Sequence, residues 1–264
     1  MKKRLLTLSL VLSFSILSGC STGNINQYQS KSLQELYNQG HKYMVNENYA
    51  GAIDVYKVLL SKYPFEEKTK AATLDLIYVY YQKGDSELAL ATANQFIKLF
   101  PTYKDIGYVY YMRGVIQYNN GRGVLQQRLP YSMDLHDPEN YLKAFDSLKL
   151  AIRANPNAKY ATDARRRMIY INNTVAKYEY NIAEFYFKKQ AYIGAIERAK
   201  IVVQDYPRST SIESALIILV KSYASLGLND LAHSSYEVLQ KNYPNNKNLK
   251  KLATKVSNNT FRIE

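Results

Sequence analysis

Apolar residues recur every three or four positions along most of this chain from Leu33 onward, the spacing of helices with one buried face. Between Tyr49 and Leu60, for example, Ala52, Ile53, Tyr56, Leu59 and Leu60 share one side of a helix. Five times an alanine is followed twelve residues later by a proline: Ala52 and Pro64, Ala89 and Pro101, Ala144 and Pro156, Ala195 and Pro207, Ala232 and Pro244. In four of the five a tyrosine stands nine residues before the alanine, at Tyr43, Tyr80, Tyr186 and Tyr223. A small residue lets the second helix of a pair cross close to the first, the tyrosine fills the space between them, and the proline cannot continue the helix.

These offsets match the tetratricopeptide (TPR) repeat, a helix–turn–helix unit of about 34 residues. The predicted fold class is all-α: a TPR solenoid of five helix–turn–helix repeats over residues 32–244, with extended third and fourth repeats. The first pair is Leu33 to Asn46 and Tyr49 to Lys62, opened by a capping box of Ser32 and Glu35. Gly40, three residues before Tyr43, sits where close helix crossing needs a small side chain. The second pair is Lys68 to Lys83 and Glu87 to Phe100, with Gly84 in the turn. The third runs Ile106 to Tyr118 and Pro138 to Ala154, and the excess of 18 residues over the second pair falls in Asn119 to Asp137. An insert of that length is either a functional loop or a tolerated surface excursion. The fourth pair carries 14 extra residues before Tyr186. Without Gly or Pro from Asn157 to Ile193, Lys159 to Lys189 reads as one long helix. Fourteen residues are close to four turns, so the inner face stays in phase. Its partner is Ile193 to Asp205. The fifth pair is Ser211 to Leu226 and Asp230 to Asn242, and a short helix near Leu249 to Val256 caps a basic tail over residues 245–264.

The N-terminus reads as a sorting signal. Lys2, Lys3 and Arg4 precede an apolar run from Leu5 to Leu17, too short to span a membrane. Leu17-Ser18-Gly19-Cys20 looks like a bacterial lipobox. On that reading residues 1–19 are a signal peptide and Cys20 receives diacylglycerol and an acyl chain. Residues 20–31 are then the lipidated cysteine and a polar tether, and Ser21 favours the outer membrane. Cys20 is the only cysteine, so no thiol remains for a disulfide, a metal or a nucleophile.

The formal charge is +13, of which Lys2, Lys3 and Arg4 supply three. An exported, basic helical protein points to anionic lipid or acidic protein surfaces, not nucleic acid. Arg165-Arg166-Arg167 is the longest positive run and reads most simply as a solvated helix face. His41, His136 and His233 lie on different pairs, without metal-ligand spacing, and no phosphate loop or nucleophile elbow occurs. Neither an enzyme nor a cofactor beyond the lipid is expected. The 26 tyrosines carry more information. Beside the packing tyrosines, one helix turn away, lie Tyr37, His41 and Met44 in pair one and Leu74, Tyr78 and Tyr81 in pair two. They form either a groove for an extended aromatic or apolar peptide, with Tyr37, His41, Tyr78 and Tyr81 as its binding residues, or plain packing.

Several strings carry a family resemblance: Tyr63-Pro64-Phe65, Leu74-Asp75-Leu76-Ile77-Tyr78 with Tyr80-Tyr81, Tyr110-Tyr111-Met112-Arg113-Gly114, Asp137-Pro138, and Ala176-Lys177-Tyr178-Glu179-Tyr180. With the lipobox and five repeats, the chain resembles the BamD family, lipoproteins of the outer-membrane β-barrel assembly (BAM) machine. The basic balance and residues 122–133 depart from the family. The resemblance implies a non-enzymatic scaffold on the periplasmic face of the outer membrane that contributes to protein insertion there. Its partners would be the periplasmic domain of BamA, other BAM lipoproteins and unfolded outer-membrane proteins bound at the N-terminal repeats. Arg198 matches a family arginine that pairs with BamA carboxylates. The alternative is another TPR lipoprotein scaffold, for pilus or cell-wall assembly.

Overall fold

The computed structural model describes residues 25–121 and 138–257. The signal peptide, Cys20 and the insert beyond Gly121 lie outside them. The chain divides into two compact units, Met1–Lys83 and Gly84–Glu264. The first contains a 3-10 turn (Ile25–Tyr28), α1 (Leu33–Val45), α2 (Tyr49–Lys62) and α3 (Glu67–Lys83). The second contains α4 (Ser86–Leu99), α5 (Ile106–Gly121), α6 (Glu139–Ala154), α7 (Ala161–Lys188), α8 (Tyr192–Asp205), α9 (Ile212–Ser225), α10 (Asn229–Asn242) and α11 (Leu249–Ser257). Every described element is helical, as the spacing predicts. None of the described helices is long and apolar enough to cross a membrane.

The repeat positions behave as their chemistry requires. Ala52, Ala89, Ala144 and Ala195 are completely buried and Ala232 nearly so. At each of the five prolines the preceding residue has left the helix, as the proline ring forces it to. Tyr63, Phe100, Asn155, Tyr206 and Tyr243 each donate a backbone N–H to the carbonyl four residues back. Tyr80 and Tyr223 are buried, whereas Tyr43 and Tyr186 are half-buried. The turn within a pair needs one residue with positive φ. Gly84 (90°) and Gly227 (73°) supply it in two pairs, Glu47 and Gln190 (both 59°) in two others, where an L side chain is strained.

The Ser32–Glu35 capping box is formed in both directions. Gly40 explains itself: a Cβ there would lie 2.5 Å from a ring carbon of Tyr56. The same holds at Gly114, where a Cβ would lie 2.8 Å from Cγ of Leu148.

Three boundaries differ from expectation. The tether reading over 20–31 ends on the body, because Tyr28 is only 5% exposed. Helix α5 continues to Gly121, so the first residues of the insert are helical. Pro138 occupies the cap of α6, not its first turn, and the helix starts at Glu139. The long helix is α7, 28 residues, or about 42 Å at 1.5 Å per residue.

Candidate functional site

In the first unit the N-terminal aromatic residues converge on an acid that the pattern of apolar positions passes over. Gly40 lets the fully buried Tyr56 ring lie against α1. From there its hydroxyl donates to Oδ2 of Asp75 on α3 at 2.9 Å. His41 of α1 places Nδ1 3.4 Å from the same oxygen, and the Tyr37 hydroxyl also bonds Asp75. The Tyr37 ring stacks on His41 with centroids 6.1 Å apart, and Lys68 Nζ sits 5.6 Å from that ring's centroid. One carboxylate thereby links three helices.

Burial pushes the Asp75 carboxyl above the ordinary carboxylate range, although hydrogen bonds from Tyr56 and His41 oppose the shift. Burial and the neighbouring Asp75 raise the Tyr37 phenol, and they raise that of Tyr56 further. His41 is half-exposed, so the cluster opens to solvent on one side.

The four predicted groove residues fall into two sets. Tyr37 and His41 meet at Asp75. Tyr78 and Tyr81, both half-buried, follow Asp75 along α3 at intervals of three, each turned about 60° from the last. Tyr78 has the Tyr49 phenol of α2 as an electrostatic neighbour. Leu74 is buried, so it packs and does not line a groove: it stands about 100° around α3 from Asp75, toward the core. Met44 is half-buried. The spacing of apolar positions does not mark Asp75 or Tyr56 as site residues. An aspartate inside the apolar run Leu74 to Tyr78, three residues before a groove position, was the available signal.

In the second unit Arg198 on α8 donates from Nη1 to Oε2 of Glu179 on α7 at 2.9 Å. The Glu179 side chain is 11% exposed and that of Arg198 40%. The hydrogen bond that Arg198 donates to Glu179 raises the guanidinium pKa. A guanidinium has five N–H donors in a planar fork, so one bond to Glu179 orients it and leaves donors facing solvent. Of the arginine run, Arg165 and Arg166 are exposed. Arg167 pairs with Asp163 at 2.5 Å and lies 4.9 Å over the Tyr118 ring. Among the described residues no group of three or more His, Cys, Asp or Glu could hold a metal ion.

Paired helices that cross at buried alanines define a protein of the helical-repeat class. The sequence profile of the YfiO family, described as outer membrane lipoprotein, matches residues 29–239, and the chain belongs to that family. A relative from Vibrio cholerae named outer membrane protein assembly factor BamD is 33% identical over 236 residues, covering 89% of this chain and 98% of the relative. A relative of the same name from Neisseria meningitidis serogroup A is 31% identical over 249 residues, 92% of each chain.

Proposed function

We propose that this chain is the scaffold lipoprotein of an outer-membrane β-barrel assembly complex. It is held at the periplasmic face by lipid on Cys20, docks the BamA periplasmic domain through Arg198 and receives unfolded outer-membrane proteins on the α1–α3 face. The observation that carries this reading is the similarity over nine-tenths of the chain to relatives named outer membrane protein assembly factor BamD. Two features of the structure support it. Arg198 is held by Glu179 with part of its fork exposed, the arrangement that two-pronged recognition of a partner carboxylate needs. The half-exposed Tyr37–His41 pair offers large, amphipathic contact area at low entropic cost. The role is non-catalytic, the lipid is the only prosthetic group, and other lipoproteins of the complex are further partners.

The test is a crosslinking pull-down of the tagged chain from native outer membranes. Recovery of BamA with unfolded barrel proteins is the expected result. Recovery of a pilus secretin or of peptidoglycan enzymes without BamA would replace this reading with the other scaffold class.

A further inference from the structure

The extra turns carry the N-terminal half of α7 past the helix that pairs with it, α8, and onto α5 and α6. Helix α8 has 14 residues, half the length of α7. It pairs with the C-terminal half, as the Arg198–Glu179 bond marks. The α8–α9 turn then crosses α7 at Asn173, whose Oδ1 accepts from the Thr210 backbone N–H at 3.0 Å. Toward the N-terminus from that crossing, α7 faces α6 across a cleft of about 440 Å³, within the size range of ligand sites.

The floor of the cleft is apolar, made by Phe145 and Ile152 from α6 and Met168 from α7, with Ile169 of α7 at the rim. Ile169 is 63% exposed, an uncommon position for an isoleucine beside a core cluster. The polar groups stand at opposite ends. Arg165 lies one turn before Met168 and Ile169, and Asn172 one turn after them, about 10 Å apart along the helix. Arg208 comes in from the α8–α9 turn. Among the described residues, none that lines the cleft is acidic. Arg165 donates to the Pro156 carbonyl at 2.8 Å, and neither arginine makes an ion pair among the described residues.

We propose that this cleft binds a short acidic segment of a partner protein, an extended stretch with an aliphatic or aromatic side chain flanked by carboxylates. The apolar anchor fills the floor, and the carboxylates meet Arg165 and Arg208 as charge-assisted pairs. The Asn172 carboxamide, with both donor and acceptor, suits a peptide unit. A fatty acid has one polar end and leaves the other end of the cleft unmatched, whereas a peptide matches both. The inference does not depend on the roles proposed for Arg198 or the α1–α3 face.

The test is selection of a random dodecapeptide phage library on the full chain, followed by titration of the winning peptides against wild type, Ile169→Lys and Arg208→Glu. Both positions are at the rim, and circular dichroism checks that each variant is folded. The expected winners combine Asp or Glu with Leu, Ile, Phe or Tyr. They bind at least ten-fold more weakly to either variant, and more weakly at high salt. Winners that are basic, or that bind both variants as well as wild type, overturn the proposal. Oleate binding abolished by Ile169→Lys, with no such peptide recovered, also overturns it in favour of a lipid site.

Discussion

Arg198 has two jobs in this reading, and substitutions can separate them. Within the chain it neutralises Glu179, whose side chain is 11% exposed while that of Arg198 is 40% exposed. Breaking a fully buried pair costs about 3–5 kcal/mol and an exposed one about 0–1 kcal/mol. Arg198→Ala therefore costs about 1–3 kcal/mol of stability, between those limits. Arg198→Glu costs more, because it sets a second carboxylate against Glu179. Arg198→Lys keeps the charge and remains within about 1 kcal/mol of wild type. Toward a partner the order changes. Lysine keeps the charge but cannot make two parallel hydrogen bonds, and losing one hydrogen bond to a charged group costs about 1.5–3 kcal/mol, roughly a ten-fold or greater loss of affinity at about 1.4 kcal/mol per decade. The assay is urea denaturation of the four proteins beside quantitative copurification of BamA. Stability should rank wild type and Lys above Ala above Glu, whereas BamA retention should already fall steeply at Lys. Full BamA retention by Arg198→Lys would refute the docking role and leave Arg198 as a partner of Glu179 alone.

Four other outcomes are expected, the first from the sequence and the rest from the structure. Cys20→Ala should give an uncleaved or soluble periplasmic protein, and continued sedimentation with outer membrane after normal processing would sink the lipobox reading. Tyr78→Ala with Tyr81→Ala should weaken binding of a C-terminal outer-membrane-protein peptide at least about ten-fold, measured by titration with circular dichroism as folding control; unchanged affinity in a folded protein assigns both tyrosines to packing. Gly40→Ala gains about 1 kcal/mol of helix propensity but drives a methyl into the Tyr56 ring, which burial and the Asp75 bond hold in place. Overpacking of about 1–3 kcal/mol should win, and denaturation showing a stabilised variant would contradict it. Asp75 holds its proton more tightly folded than unfolded. Its stabilising contribution is therefore complete below its ordinary value of 3.8 and is lost as pH rises through the elevated folded value. Wild type should gain stability relative to Asp75→Asn on acidification from about pH 7 to about pH 4, and parallel denaturation profiles would remove Asp75 from the account.

What the sequence reveals and what it hides divide along a physical line. The alanine–proline spacing locates the helices within a few residues because close crossing and helix termination are local demands, met by one residue type each. The phase of α7 is legible for the same reason: the added residues nearly complete whole turns, so the apolar stripe continues. The two acids that organise the candidate sites are not legible. Asp75 and Glu179 stand in strings whose signal in the sequence is the family resemblance. Their importance comes from partners 34 and 19 residues away, His41 and Arg198, and no periodicity reports a hydrogen bond of that range. The turn residues Glu47 and Gln190 show the opposite failure. They hold the backbone shape that Gly84 and Gly227 hold elsewhere, yet without glycine they give no local sign of it. A repeat pattern thus predicts where backbones must come close. The polar groups that fix one surface for a partner have to be found by asking which buried charges are satisfied, and by what. The α7 cleft falls outside that test, because Arg165 and Arg208 are exposed; there the pointer to a partner is an apolar floor flanked by two arginines that make no ion pair among the described residues.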